Sequence, residues 1–291
     1  MKALFYIFLI RLSKILGSWI FVAISRVIAA GYYIFLPRRV NVCVLFYRVV
    51  FPGHSLIYYL LCVWKQYQNF TSVFLDRFLA RDFNDITYTS QGHQHLEEVL
   101  GKTGGIILMS HVGNWDVAAN LLKRQYDKLS LLLYMGIRNK EEIERIQKEN
   151  LAESGIRIVA VDQDGGSPFD IIKGIQFLRS GGLVSMTGDV LWKKDQRSVQ
   201  VKILGHDVSV PEIPYVLALL SGAPLFIFFA FRTGRKRYHF TVSEPIHIKA
   251  ASRADRGEVI RKSAQIYADL LEQSLLRHPF EWYHFEPFLG P

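Results

Sequence analysis

The sequence predicts an α/β domain, a mixed, largely parallel sheet flanked by helices, joined to N-terminal membrane-associated helices. Three observations predict it. From about Tyr88, short apolar runs alternate with amphipathic stretches, the pattern of strands joined by crossover helices. Residues 1–36 hold two apolar blocks, Ala3–Ile10 and Leu16–Leu36, with Arg11, Lys14 and Arg26 among them. No repeat, low-complexity segment or linker-like composition separates the two regions, so the N-terminal helices are expected to pack on the sheet domain.

Residues 1–40 read as a membrane anchor. The second apolar block is about long enough to cross ~30 Å of hydrocarbon. Arg26 near its centre costs roughly 2.5–3.5 kcal/mol on insertion scales, which leaves a spanning helix and an interfacial anchor both open. A cleaved signal peptide is disfavoured because no small-residue cleavage site follows a short apolar core. Basic residues flank the block on both sides, so they set no orientation. Residues 41–87 read as a helical layer against the core or the bilayer, with Trp64, Tyr67, Phe70, Phe74 and Phe78 at helical spacing from Pro52-Gly53 onward. Such a stripe is ordinary packing surface, and no chemistry is assigned to it.

Residues 88–291 form the third region. Its candidate strands are Gly105–Ser110, Leu129–Tyr134, Arg157–Val161, Leu183–Thr187, Leu225–Phe231 and Tyr238–Val242. Candidate helices are His95–Leu100, Trp115–Lys123, Lys140–Glu153, Asp170–Leu178, Ile213–Leu220 and a final one from about Asp255 to Arg277.

Composition narrows the function. Half of the 291 residues are apolar and 21% charged, greasier than an average soluble domain. The net charge of +9 suits an anionic membrane surface or an acidic partner. Nucleic acid is disfavoured, since no finger spacing, RNP-like motif or dense basic tract is present. Cys43 and Cys62 make neither a disulfide framework nor a zinc site, in keeping with a cytoplasm-facing domain.

The most informative stretch is Ser110-His111-Val112-Gly113-Asn114-Trp115-Asp116, after the apolar run Gly105–Met109. The run reads as a buried strand and Asn114 as the N-cap of the following helix. His111 then lies in the strand-to-helix turn. Asp116, in the first helical turn, is expected to fold back, accept one ring N–H and leave the other nitrogen as a base. An Asp there is also favoured by the helix dipole alone.

The stretch "LMSHVGNWDVAAN" resembles the acyltransferases that finish lipid A, the lauroyl and myristoyl transferases, and more broadly the glycerolipid acyltransferases with a His-four-residues-Asp/Glu motif. The resemblance continues through a strand ending at Gly188-Asp189, the cations Lys193, Lys194 and Arg197, the segment Ile203-Leu204-Gly205, the "SGAP" turn, a strand ending in Arg232 and the closing "RHPFEWYHFEPF". It covers roughly residues 70–288. It implies acyl transfer from an acyl thioester to a hydroxyl or amine of a membrane lipid or glycolipid, a lipid A-type acceptor first, at the bacterial inner membrane with the catalytic domain facing the cytoplasm. His111 is then the general base and Asp116 its orienting partner. Asn114, Asp189, Lys193, Arg197 and Arg232 are candidate substrate-binding residues, with no metal and no cofactor. Acyl-ACP or acyl-CoA serves as donor, and acidic acyl carrier protein is an expected partner. Asp189 also has a structural reading, a carboxylate paired with a nearby cation, and Arg232 a bland one, the head of a solvated basic run.

The chain departs from the family where an Arg is common, reading Lys148-Glu149-Asn150 before Gly155, which shifts that role to Arg145 or Arg157 or leaves it vacant. It also reads Asp207–Pro211 where a Thr-rich segment is usual, and it lacks a Phe-Pro-Glu-Gly phosphate motif. The rival readings are an acyl hydrolase, with Ser110 but no nucleophile elbow; a metal hydrolase using His93, His95 and His111; and a non-catalytic, membrane-docked lipid- or acyl-carrier-binding protein.

Overall fold

The structure, a computed structural model, describes residues 18–79, 86–126, 129–136, 156–161, 168–191 and 195–289. Three helices lead: α1 (Ser18–Phe35), α2 (Pro37–Val50) and α3 (Leu56–Leu79). Pro37 at the first position of α2 breaks the path, because proline disfavours helical backbone in the residue before it, and the chain bends by 88° between α1 and α2. Helix α2 turns Val40, Cys43, Val44, Phe46 and Tyr47 inward and leaves Arg38, Arg39 and Arg48 exposed. Helix α1 lies along α3, where the Tyr33 hydroxyl donates to the Leu60 carbonyl at 3.1 Å. Among the described residues no single helix is long and apolar enough to cross a membrane; the bent α1–α2 pair passes by length and composition only. The apolar block expected at Ala3–Ile10 lies outside the described residues. Cys43 and Cys62 are free and buried.

A seven-stranded sheet follows, built from β1 (Thr87–Gln91), β2 (Gly105–Met109), β3 (Leu131–Gly136), β4 (Arg157–Val161), β5 (Leu183–Thr187), β8 (Leu225–Gly234) and β9 (Arg237–Val242), in the order β1-β9-β8-β2-β5-β3-β4. The run from β8 to β4 is parallel, and β9 turns back antiparallel to β8 with β1 beside it. Strand β2 is buried at every position, as its unbroken apolar run requires of a strand covered on both faces. One face packs against α4 (Gln94–Val99) and α5 (Trp115–Gln125). The other packs against α2, α3, α6 (Pro168–Arg179), α7 (Ile213–Ser221) and α8 (Arg256–Arg277).

Two elements differ from the sequence expectation. Strand β1 is one; its mostly polar TYTSQ is largely exposed, so it carries little apolar signal. The other is a hairpin, β6 (Ser198–Ile203) and β7 (His206–Pro211), turning at Leu204-Gly205 with φ of 52° and 81°, as a two-residue primed turn requires. Val199, Val201 and Ile203 face inward, and Gln265 of α8 bonds both backbone groups of Lys202 at 2.9 Å. The helix expected at Lys140–Glu153 lies outside the described residues.

Candidate active site

Strands β2 and β5 are neighbours, with Met109 paired to Thr187 and the Gly188 N–H donating to the Met109 carbonyl at 2.7 Å. Two residues beyond each strand end stand His111 and Asp189. His111 meets the carboxylate twice, its backbone N–H donating to Oδ2 at 2.8 Å and its Nδ1 to Oδ1 at 2.9 Å. The Trp282 indole N–H adds a bond to Oδ2 at 3.1 Å. An ionised carboxylate only accepts, so Nδ1 carries the proton and Nε2 keeps its lone pair. Asp189 is fully buried, while a third of the His111 side chain is exposed (33%). Burial alone would raise the Asp189 pKa. The His111 charge and hydrogen bonds, with a smaller contribution from the His284 charge, outweigh it and hold the group at about 2.

The turn that carries His111 is held on every side. Gly113 N–H donates to the Glu281 carbonyl at 2.8 Å, Asn114 N–H to Ala230 at 2.9 Å, and Tyr283 N–H to the His111 carbonyl at 2.8 Å. Gly113 has φ +69°, and a Cβ there would lie 1.8 Å from the Ala230 oxygen, so only glycine fits. The Val112 N–H reaches Ser110 Oγ at 3.4 Å. The turn's amides are therefore engaged within the protein.

A second imidazole, His284, lies edge to face with His111, ring centres 5.7 Å apart, and stacks on Trp282 at 5.1 Å. Its Nδ1 meets the Glu286 carbonyl at 3.0 Å, which assigns the proton to that nitrogen. Burial lowers its pKa, and the His111 charge lowers it further against the opposing pull of Asp189. His284 and Trp282 also line a pocket between α2 and the C-terminal segment whose walls include Val42, Cys43, Phe46 and Phe288.

The candidates from the sequence divide accordingly. Asn114 is the N-cap, its Oδ1 accepting from Val117 N–H at 3.4 Å. It is completely buried, and its Nδ2 donates to the Val73 carbonyl and the Tyr238 hydroxyl, so these bonds tie the cap to α3 and β9. The ring N–H bond expected at Asp116 goes to Asp189. Asp116 sits buried in the first turn of α5 and accepts from Asn120 Nδ2 at its carbonyl (2.9 Å) and Oδ1 (3.4 Å). Asp189 pairs with an imidazole, not with the Arg or Lys expected. Arg232 is not a solvated surface cation: its Nε meets Asp76 of α3 at 2.9 Å, and its backbone N–H meets Glu281 at 2.7 Å. The Tyr238 hydroxyl donates to the same Asp76 carboxylate, so α3, β8, β9 and the Asn114 cap form one network. Arg197 is exposed, its carbonyl accepting from Glu212 N–H at 3.1 Å. Lys193 lies outside the described residues.

Sequence reasoning missed His284, Trp282, Asp76 and Tyr238. The "WYH" of the closing segment was the available signal for the first two; Asp76 and Tyr238 gave none. Of the rival centres, Ser110 is buried. His95 pairs with Glu244 at 3.2 Å and His93 with Ser90 at 3.3 Å. Among the described residues no group of three or more His, Cys, Asp or Glu is placed to hold a metal ion.

A search of curated proteins finds no match. The family described as bacterial lipid A biosynthesis acyltransferase matches residues 49–289, a span that includes the His111 turn, Asp189, the Arg232 network and the closing segment. The chain therefore belongs to the bacterial lipid A biosynthesis acyltransferase family and is an acyltransferase.

Proposed function

We propose that the chain moves a fatty acyl chain from an acyl thioester, acyl-ACP or acyl-CoA, to a hydroxyl or amine of a lipid A-type acceptor at the bacterial inner membrane. The observation that carries this reading is the His111–Asp189 pair, a base whose proton-bearing nitrogen is fixed and whose other nitrogen is left to act. His111 Nε2 takes the acceptor's proton as its oxygen or nitrogen attacks the thioester carbonyl, typically worth ~10²–10⁴-fold. Asp189 holds the ring and stabilises the imidazolium without taking its proton. When the tetrahedral intermediate collapses, the thiolate leaves and receives that proton, giving the free thiol and the acylated acceptor. Asp116 supports the turn from the start of α5. Since the turn's amides are engaged, a basic side chain supplies the oxyanion contact.

The pocket behind His284 and Trp282 receives apolar substrate chain, and the helical layer rests on the bilayer. Arg38, Arg39 and Arg48 on α2 favour anionic lipid there. The test is transfer of labelled acyl chains from each donor into total bacterial lipid, using membranes with wild type, His111→Ala or Asp189→Asn. A labelled lipid formed by wild type alone supports the reading and names the acceptor. Label released as free fatty acid makes the chain a hydrolase. No turnover by folded protein makes it a binding protein.

A further inference from the structure

Two tyrosines on the helical side of the sheet take no part in the proposed chemistry. Tyr215 of α7 and Tyr267 of α8 are both completely buried, and no described residue gives either hydroxyl a hydrogen-bond partner. Folding strips such a group of its water without replacement, so an orphaned hydroxyl calls for a reason.

The Tyr267 hydroxyl belongs to the neighbourhood of Asp189, and Tyr215 to that of Tyr267. A Cβ on Gly188 would lie 2.6 Å from Tyr267 Cζ and 2.8 Å from its hydroxyl, so the phenol lies directly against the residue before Asp189. Burial, then the charge of Asp189, keep Tyr267 protonated, its pKa raised well above the ordinary value. It is therefore a permanent donor beside a carboxylate. Asp189 accepts one bond on Oδ1 and two on Oδ2, and a carboxylate has about four acceptor positions. The titratable groups facing Asp189 are His111 from the β2 turn, His284 from the C-terminal segment and Tyr267 from α8.

We propose that Tyr267 is a positioning residue for Asp189, its hydroxyl and that of Tyr215 holding one buried water that donates to Oδ1. Two phenols and a carboxylate give that water the three partners typical of buried waters. A third direction of restraint on Asp189 fixes the plane in which Oδ1 meets His111 Nδ1. The inference rests on Asp189 aiming His111, not on what is transferred.

The test uses full-length Tyr267→Phe and Tyr215→Phe, each removing one oxygen. Its first readout is the hydrogen-bonded Nδ1 proton resonance of His111 in ¹⁵N-histidine-labelled protein, assigned by its loss in His111→Ala. The expected result is a shifted resonance in Tyr267→Phe, a smaller shift in Tyr215→Phe, and kcat reduced about tenfold in Tyr267→Phe with KM within about twofold. A purely structural orphan behaves otherwise. Phenylalanine then raises Tm and leaves both the resonance and kcat as in wild type, which overturns the proposal. Should Tyr267→Phe fail to fold, Tyr215→Phe makes the same comparison. Absence of acyl transfer by wild type would remove the functional reading but leave the resonance test intact.

Discussion

His111 and Asp189 each stand two residues beyond the paired Met109 and Thr187 of adjacent parallel strands, so sheet register alone brings imidazole and carboxylate to 2.9 Å. Ligand and catalytic groups gather at such strand ends in α/β sheets. The first prediction concerns which carboxylate the reaction needs. Asp189→Asn places an amide where three donors converge, so kcat is expected to fall about 10³-fold, as when a base loses its orienting acid. Asp116→Asn keeps the turn and is expected to cost less than about tenfold. Single-turnover transfer with both variants, alongside far-UV spectra for folding, checks this; a larger loss in Asp116→Asn would return the orienting role to it.

How much of this was legible follows from range along the chain. The strand to Met109, the Asn114 cap and the strand to Thr187 were each readable, because apolar runs and caps are local signals. Their adjacency was not. Asp116 lay five residues from His111 and Asp189 lay 78, and sequence spacing favours the near partner. The same limit hid Asp76, which meets Arg232 across 156 residues. The hairpin at Leu204-Gly205 is different, because its signal is local: Val199, Val201 and Ile203 alternate with exposed residues at the period of a strand.

The second prediction concerns acid sensitivity. Burial lowers the His284 pKa below the ordinary 6.5. The unfolded chain therefore takes up a proton at this site before the folded one does. The resulting stability is complete above about pH 6.5 and is lost as pH falls through the folded pKa. Asp189 adds a second, lower step, complete above its ordinary 3.8 and lost toward about 2. Wild-type Tm is expected to fall as the pH drops below about 6.5, and that of His284→Gln to fall less over the same range. Parallel melting curves for the two proteins would contradict the assignment of that upper step to His284.

Gly113 gives the third prediction. Its φ of +69° and the 1.8 Å approach of a Cβ to the Ala230 oxygen combine backbone strain with a clash against a fixed strand. Gly113→Ala is expected to destabilise the fold by about 3 kcal/mol or more, far beyond the usual helix or loop effect. Gly205 also has positive φ, but a Cβ there meets nothing within 4 Å. Gly205→Ala is accordingly expected to cost only about 1 kcal/mol. Chemical denaturation of both variants tests the contrast.

The fourth prediction separates a structural Arg232 from a phosphate-binding one. Its partner Asp76 is nearly buried, while the Arg232 side chain keeps 22% exposure, so screening trims the cost of breaking the pair to about 2–3 kcal/mol. Arg232→Met and Asp76→Leu are each expected to lose that much, and the double variant less than their sum. The donor KM is expected to stay within about twofold. A tenfold rise in KM without loss of stability would make Arg232 a substrate contact after all.

The last prediction asks whether the α1–α3 face meets lipid. Phe35 is 78% exposed, Ile57 71% and Leu61 61%, on helices α1 and α3, which pack side by side. Burying each such side chain in the headgroup–acyl boundary is worth about 1.5 kcal/mol or more. The basic residues of α2 add about 1 kcal/mol each beside anionic lipid, an increment that salt screens. Phe35→Ser with Ile57→Ser is therefore expected to cut co-sedimentation with anionic vesicles by at least about tenfold, at any salt. Raising salt alone should weaken the wild type without abolishing binding, because the apolar contribution remains. Transfer measured in detergent micelles should be unchanged in the variant, since both side chains are exposed on their helices. Vesicle binding indifferent to both changes would mean that this helical face packs on something other than a bilayer.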